Sequence, residues 1–131
     1  MADKKKIFIL EDDETILVSL KKLLTISGFE IEATQYPREA LAKIKSFQPH
    51  LILLDLLMPG ITGIEICQML NKDKETKSIP IIVISALAKE IDIKKAYELG
   101  VVSYLVKPYD FPILLKEINK VIGYKEEASP P

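Results

Sequence analysis

The stretch "LILLDLLMPG" (residues 51–60) places four apolar residues, Leu51 to Leu54, directly before an acid, Asp55. An apolar run of this length without alternation is typical of a strand buried on both faces, as in a parallel sheet covered by helices. Asp55 would then stand at the carboxyl end of that strand, where a carboxylate needs polar or charged partners. The stretch therefore predicts a buried strand and a polar site at its end.

Short apolar runs of this kind alternate with helical patterns along the whole chain. The predicted strands are "KIFIL" (6–10), "FEIEA" (29–33), "LILLD" (51–55), "PIIVIS" (80–85) and "VSYLV" (102–106). The predicted helices are "DETILVSLKKLLTISG" (13–28), "YPREALAKIKSF" (36–47), "GIEICQMLNKDK" (63–74), "AKEIDIKKAYELG" (88–100) and "DFPILLKEINKVIG" (110–123). Five β-α units joined by right-handed crossovers predict an α/β fold, a doubly wound five-stranded parallel sheet with helices on both faces.

Composition narrows the class of protein. The chain has 131 residues, 48% of them hydrophobic and 28% charged, which suits one domain with an ordinary core. Its net charge of -1 gives no electrostatic reason to expect nucleic-acid or membrane binding. No stretch predicts a signal peptide or a membrane span, so we expect a cytoplasmic protein. We expect one domain over residues 1–124 and a disordered tail or linker stub over residues 125–131.

Ionisable and hydroxyl side chains follow four of the five predicted strands. Ligands of open α/β sheets bind outside the carboxyl ends of the strands, which meet at one edge. The residues at that edge are Glu11, Asp12 and Asp13 after the first strand, Asp55 after the third, Ser85 at the end of the fourth and Lys107 after the fifth. We therefore expect a single polar rim.

The acids of this rim predict a bound divalent cation. Two carboxylates about 4 Å apart repel by roughly 4 kcal/mol at an effective dielectric of about 20. Lys107 supplies one compensating charge, and Mg²⁺, which prefers oxygen ligands, would supply two more. Such a site suits phosphoryl transfer to Asp55, with Ser85 donating a hydrogen bond to the phosphoryl group. Taken singly, each residue has a simpler explanation: the acids of "EDDE" could cap the first helix, and Lys107 and Ser85 could be loop residues.

Together, these motifs resemble the receiver domain of response regulators in two-component signalling, over about residues 4–123. "LEDDE" resembles the acidic pair of that family, assigned here to Asp12 and Asp13, and "LILLDLLMPGITGIE" resembles its phosphoacceptor segment, with Asp55 as acceptor. "VISALA" matches the hydroxyl position, and "YLVKPYD" matches the lysine followed by proline. The resemblance implies a flavodoxin-like sheet with strand order 2-1-3-4-5 and a cis peptide bond at Lys107-Pro108.

The resemblance also implies the roles of the site residues. Asp13, Asp55 and the backbone carbonyl of Leu57 would bind Mg²⁺ directly, and Asp12 would act through a metal-bound water. The phosphoryl donor would be a phosphohistidine of a sensor histidine kinase or phosphotransfer protein. The chain would not be an enzyme: it would assist its own phosphorylation and slow autodephosphorylation.

A conformational switch is the further implication. Ser85 would follow the phosphoryl group, Tyr104 would turn inward, and the surface of helix 4, strand 5 and helix 5 would change to control partner binding, with a possible phosphorylation-dependent dimer. The alternative for Tyr104 is a packing tyrosine with its hydroxyl in water. The downstream partner is unknown.

Two leucines lie two residues beyond site residues: Leu57 after Asp55, and Leu87 after Ser85. In the family these positions flank the path of the attacking water and often carry polar groups. Our hypothesis is that the leucines exclude water and make the phosphorylated form long-lived. We expect His50, the only histidine, to lie at the opposite end of the sheet from the rim.

Two other functions remain open. A receiver-like module that docks partners without phosphorylation usually lacks an acid or the lysine, but Asp12, Asp13, Asp55, Ser85 and Lys107 are all present here. A phosphatase of the haloacid-dehalogenase type needs a second acid two residues after the nucleophile, where this chain has Leu57. Both alternatives therefore rank below the phosphorylated switch.

Overall fold

The computed structural model describes residues 4–58 and 60–123, in which five strands and five helices alternate. The strands are β1 (Lys6–Leu10), β2 (Glu30–Thr34), β3 (Leu51–Leu54), β4 (Ile81–Ser85) and β5 (Ser103–Val106). The helices are α1 (Glu14–Ile26), α2 (Pro37–Phe47), α3 (Gly63–Lys72), α4 (Glu90–Glu98) and α5 (Phe111–Ile122). Every predicted element is present, and its ends differ from the prediction by at most two residues.

All strand pairs of the sheet are parallel, and the strand order is β2-β1-β3-β4-β5. The predicted fold class, a doubly wound α/β sheet with flavodoxin-like order, is confirmed. Strand β1 pairs with both β2 and β3, so that Ile9 lies beside Ala33 and Leu53. The residues of β3 are buried on both faces, which explains why its sequence is apolar throughout.

Two helical layers cover the sheet because successive strand residues point to opposite faces. On one face α1 and α5 pack on the strands, and on the other face α2, α3 and α4 do so. The first layer buries Ile7, Ile9, Leu20, Leu24, Leu53, Ile84, Leu114 and Ile118. The second layer buries Phe8, Leu10, Ala40, Ile44, Leu54, Ile66, Leu70, Val83 and Ala96. Cys67 is buried in the second layer.

The connection between β3 and α3 is tightly held. Thr62 and Glu65 form a capping box: Thr62 Oγ1 accepts the Glu65 N–H at 3.2 Å, and Glu65 Oε1 accepts the Thr62 N–H at 2.9 Å. Gly63 allows α3 to begin against the strand end, because a Cβ there would lie 2.4 Å from the Cα of Leu56. The start of α3 is thus held close to the end of β3.

The amino-terminal edge of the sheet carries the histidine, as predicted. The Lys6 N–H donates to His50 Nδ1 at 3.0 Å, and the His50 N–H donates to the Lys6 carbonyl at 2.8 Å. The Lys6 ammonium donates to the Phe47 carbonyl at 3.0 Å and lies 5.3 Å from the centre of the Phe47 ring. These contacts join the starts of β1 and β3 to the end of α2.

None of the helices within residues 4–58 and 60–123 has the length and apolar character needed to cross a membrane. Residues 125–131, for which we predicted a tail or linker stub, lie outside the described residues.

Candidate functional site

The loops at the carboxyl edge of the sheet begin as extensions of its hydrogen-bond ladder. The Asp55 N–H donates to the Leu10 carbonyl at 3.1 Å, and the Lys107 N–H donates to the Ser85 carbonyl at 2.8 Å. The Glu11 N–H donates to the Thr34 carbonyl at 3.2 Å. The side chains that leave the strands here are therefore positioned by the sheet and not by mobile loops.

Lys107 lies between two carboxylates at this edge. Its Nζ is 3.0 Å from Asp55 Oδ2 and 3.0 Å from Glu11 Oε1. Burial alone would lower the pKa of Lys107, but the hydrogen bonds to Asp55 and Glu11 outweigh it and the pKa is raised. The Lys107 ammonium is therefore held in its charged form between two buried acids, and it supplies the positive charge of the site.

Glu11 is the most buried acid of the site, with 1% of its surface exposed. Burial raises its pKa to about 7, and the nearby Asp55 charge adds to the rise, whereas the hydrogen bonds from Lys107 and the Asp13 N–H lower it. The 3.2 Å bond from the Asp13 N–H to Oε2 and the Lys107 bond to Oε1 occupy both carboxylate oxygens. Glu11 is thus fixed beside Asp55.

The acids outnumber the cations at this edge. One carboxylate oxygen from each of Glu11, Asp12 and Asp55 lies within 4.8 Å of the other two. Three carboxylates against the single ammonium of Lys107 leave a formal charge of -2 when all are ionised. Hard oxygen donors that together carry a formal charge of -2 suit a divalent cation such as Mg²⁺.

Asp13 is positioned differently from our prediction. Its Oδ1 accepts the Ile16 N–H at 3.1 Å, so its carboxylate is the N-cap of α1. Among the described residues, the cluster that could hold a metal contains Glu11 and Asp12 but not Asp13. The structure therefore indicates that the acidic pair of the site lies one residue earlier than we assigned it.

The sequence contained a signal for Glu11. β1 and β3 pair so that Leu10 lies beside Leu54. The first residue after β1 is Glu11, and the first residue after β3 is Asp55. The reasoning that singled out Asp55, an acid directly after a buried strand, applies equally to Glu11. We placed Glu11 at the rim but not in the acidic pair, because three successive acids follow β1 and a strand buried on both faces has no alternation to show which of them points to the site.

The carboxylate of Asp55 is held at both oxygens. The Leu57 N–H donates to Oδ1 at 2.9 Å, and Lys107 donates to Oδ2. Asp55 is 3% exposed, whereas the Leu57 side chain is 48% exposed. The backbone of Leu57 therefore orients the acid, while its side chain is half exposed. The predicted role of the Leu57 carbonyl as a metal ligand stays a prediction.

Ser85 and Tyr104 hold the backbone of Leu87 from two sides. The Leu87 N–H donates to Ser85 Oγ at 3.1 Å, and the Tyr104 hydroxyl donates to the Leu87 carbonyl at 2.8 Å. Burial raises the pKa of Tyr104, which keeps the hydroxyl protonated as a donor. The hydroxyl is bound to the loop after β4, so the alternative of a packing tyrosine with its hydroxyl in water does not describe this structure.

The peptide bond Lys107-Pro108 is cis, as the resemblance implied.

Comparisons with known proteins show which family the chain belongs to. Residues 7–119 match the response regulator receiver domain family. The chain is 31% identical to the polar-differentiation response regulator DivK of Brucella ovis, over 91% of this chain and 97% of DivK. It is 32% identical to the phosphate regulon transcriptional regulatory protein PhoB of Rhizobium meliloti, over 89% of this chain and 52% of that protein. The chain thus spans about half the length of PhoB and nearly all of DivK.

Solved structures show the same likeness. The chemotaxis protein CheY4 of Vibrio cholerae has a TM-score of 0.85 and 27% identity, covering 91% of this chain and 99% of CheY4. A CheY-like receiver domain protein from Methanospirillum hungatei has a TM-score of 0.86 and 28% identity, covering 97% of this chain and all of that chain. The chain belongs to the response regulator receiver domain family of two-component signalling.

Proposed function

We propose that this protein is a phosphorylation-dependent switch in which Asp55 accepts a phosphoryl group from a phosphohistidine of a sensor histidine kinase or phosphotransfer protein. The observation that carries the proposal is the setting of Asp55, which is bound to Lys107 and lies beside two further carboxylates at the edge of the sheet. A buried acid that is oriented by a backbone N–H and a cation is a positioned nucleophile.

Asp12, Asp55 and the Leu57 carbonyl would hold Mg²⁺, with Glu11 as the neighbouring acid of the pair. This assignment replaces Asp13, whose carboxylate caps α1. When bound, Mg²⁺ neutralises negative charge on the transferring phosphoryl oxygens. Mg²⁺ suits this site because three carboxylates and one ammonium leave a formal charge of -2 when all the acids are ionised, and a divalent cation neutralises that charge.

The chain's own residues supply the chemistry of transfer. An oxygen of Asp55 forms a bond to phosphorus, while the bond from phosphorus to the donor's imidazole nitrogen breaks and its electron pair stays on that nitrogen. Lys107 stabilises the charge on the transferring group, and the Ser85 hydroxyl donates a hydrogen bond to it. Water then hydrolyses the acyl phosphate slowly. This is assisted self-phosphorylation and autodephosphorylation rather than turnover of a small substrate.

The readout of phosphorylation would be the surface of α4, β5 and α5. The Ser85 hydroxyl accepts the Leu87 N–H and can still donate its own hydrogen to the phosphoryl group, so movement of Ser85 toward that group would shift the loop that Tyr104 also holds. Exposed apolar side chains on this surface would contact a partner or a second copy in the phosphorylated state. They are Ile91, Tyr97, Val102, Val106 and Ile113. We place this switch in the cytoplasm, where sensor kinases present their phosphohistidine.

A docking module without phosphorylation is the second candidate, and an aspartyl-phosphate phosphatase is the third. The docking module would need no charge imbalance at the carboxyl edge. The phosphatase would need a general acid near Asp55, at the position where Leu57 carries an apolar side chain. Neither explains the arrangement of Lys107 between Glu11 and Asp55.

The test is phosphoryl incorporation from acetyl phosphate, measured by intact mass with and without Mg²⁺. We expect one phosphoryl group on the wild type in the presence of Mg²⁺ and none on Asp55→Asn. Asp110→Asn, which changes an acid at the start of α5, is the matched control and should label normally. Absence of labelling of the wild type would favour the docking module, and continuous release of phosphate with turnover would favour the phosphatase.

A further inference from the structure

A groove opens beside the acidic rim, between the β2–α2 loop and the β3–α3 loop. Its volume is about 530 Å³, which lies within the range of small-molecule sites. The residues that give it chemical character are Asp12, Gln35, Tyr36, Pro37, Arg38 and Ile61. The groove and the rim share Asp12, so a molecule in the groove would lie next to the metal site.

Hydrogen bonds fix the wall formed by the β2–α2 loop. Thr34 Oγ1 accepts the Tyr36 N–H at 3.1 Å and donates to Glu39 Oε1 at 2.9 Å. The Glu39 N–H donates to the Tyr36 carbonyl at 3.0 Å. On the opposite wall the Thr62 capping box holds the start of α3. Since the wall formed by the β2–α2 loop is held in place, that side of the groove is preformed, which reduces the entropy lost on binding.

The lining suits a ring with an acidic group. Tyr36, Pro37 and Ile61 give an apolar surface, and the Tyr36 ring is 59% exposed. Arg38 makes no ion pair with any residue in the described ranges. The nearest acid in sequence, Glu39, is already paired with Lys43 at 3.0 Å. Arg38 therefore offers a guanidinium that can bind a carboxylate through two hydrogen bonds.

We propose that this groove binds a small aromatic carboxylic acid, with its ring against Tyr36 and Ile61 and its carboxylate on Arg38. The negative charge of Asp12 at the shared wall opposes such an anion. A cation held by Asp12 removes that repulsion, so the acid and Mg²⁺ bind with positive coupling, and each strengthens the other. The coupling rests on the metal site of the proposed function, whereas binding to Arg38 does not.

The experiment is a titration of the protein with phenylacetate, followed by amide chemical shifts in two-dimensional NMR, with and without Mg²⁺. We expect saturable shifts at Gln35, Tyr36, Arg38 and Ile61, and affinity that is at least about fivefold tighter with Mg²⁺. Phenylethanol, which lacks the charge, should bind at least about tenfold more weakly.

Variants test the assignment of the two binding groups. Arg38→Ala should weaken phenylacetate binding by about tenfold or more, and Arg38→Lys should restore part of it. Lys22→Ala, an exposed cation of α1, is the matched control and should bind like the wild type. Absence of saturable shifts in the groove, or equal affinity of wild type and Arg38→Ala, overturns the site.

Equal affinity with and without Mg²⁺ overturns the coupling alone. Phosphoryl labelling of Asp55 is measured separately, so a failed groove leaves the proposed function intact.

Discussion

The two ends of the sheet treat polar side chains in opposite ways. At the amino-terminal edge, Lys6 and His50 exchange backbone and ring hydrogen bonds, and the Lys6 ammonium is bound by the Phe47 carbonyl and ring. At the carboxyl edge, Lys107 is bound by Glu11 and Asp55. The lysines are alike in chemistry and lie at opposite strand ends, Lys6 at the start of β1 and Lys107 directly after β5. One is bound by neutral groups and the other by buried acids.

The difference separates a structural polar cluster from a functional one. The amino-terminal cluster holds neutral partners around its cation and needs no further ligand. The carboxyl cluster has three carboxylates and one cation, so it is unbalanced without an additional positive charge. An excess of negative charge at the end of a buried strand destabilises the fold when no ligand is bound. We therefore interpret this cluster as a binding site whose ligand restores the charge balance.

Replacing Lys107 and Lys6 in turn should give the largest difference in the free energy of unfolding between the two edges. Lys107→Ala leaves Glu11 and Asp55 without their cation, so the free energy of unfolding in Mg²⁺-free buffer should fall by about 3 kcal/mol. Lys6→Ala should cost about 1 kcal/mol or less, because its partners are neutral. Urea unfolding near pH 8, about one unit above the Glu11 pKa of about 7, measures both.

Addition of Mg²⁺ should narrow the difference in stability between Lys107→Ala and the wild type, and it should leave the difference between Lys6→Ala and the wild type unchanged, because those two proteins share the same acidic site. Equal losses in the two variants would contradict the contrast between the edges.

The next largest effect concerns the lifetime of the acyl phosphate on Asp55. Leu57 lies two residues after Asp55 and is 48% exposed, and its side chain offers no hydrogen bond to orient water. Leu57→Asn should shorten the lifetime of the acyl phosphate by about tenfold, which corresponds to a barrier lower by about 1.4 kcal/mol. Release of phosphate from the labelled protein in Mg²⁺ measures it. Ile26→Asn, at the end of α1 and 74% exposed in the wild type, is the control. Slower release from Leu57→Asn than from the wild type would refute the hypothesis.

The assignment of Asp13 as a cap predicts a smaller effect on stability alone. Asp13→Ala removes the acceptor of the Ile16 N–H and should cost about 1 kcal/mol of unfolding free energy. Affinity for Mg²⁺ should not change, because Asp13 lies outside the acidic cluster. Thermal unfolding together with a Mg²⁺ titration tests both statements. A large loss of Mg²⁺ affinity would return Asp13 to the ligand set.

The smallest effect concerns the pH dependence at the amino-terminal edge. Burial, followed by the charges of Lys5 and Lys6, lowers the pKa of His50 below the ordinary 6.5. The unfolded chain therefore binds the proton more readily, and the stability that His50 contributes is present above about pH 6.5 and is lost as the pH falls below it. Glu11, whose pKa is raised, acts in the opposite sense, so its stabilising contribution is lost as the pH rises through about 7.

The difference between wild type and His50→Gln isolates the histidine. We expect the wild type to lose more unfolding free energy than the variant between about pH 7.5 and about pH 5.5. Parallel curves would show that His50 Nδ1 is not an essential acceptor for the Lys6 N–H.

Much of the fold was predictable because local patterns and packing agree. The unbroken apolar run Leu51–Leu54 is what a strand buried on both faces requires, and it placed Asp55 at an edge. The positions of Ser85 and Lys107 followed from the ends of their own strands. These predictions needed only the parallel arrangement of the sheet.

Details that depend on register or on distant contacts were not predictable. The choice between Glu11 and Asp13 depends on how β1 pairs with β3 and on which acid caps α1. The contact between Lys6 and His50 joins residues 44 positions apart and left no local pattern. The capping box of Thr62 and Glu65 was readable in the sequence, but we did not identify it.

The central claim is that Glu11, Asp12 and Asp55 form an unbalanced acidic site for a divalent cation. Calorimetric titration of Mg²⁺ into the wild type and Asp12→Asn tests it most directly, with Asp13→Asn as the control. The account predicts one Mg²⁺ site in the wild type and in Asp13→Asn, and at least about tenfold weaker binding in Asp12→Asn. Wild-type affinity in Asp12→Asn together with lost affinity in Asp13→Asn, or no Mg²⁺ binding to the wild type, would contradict it.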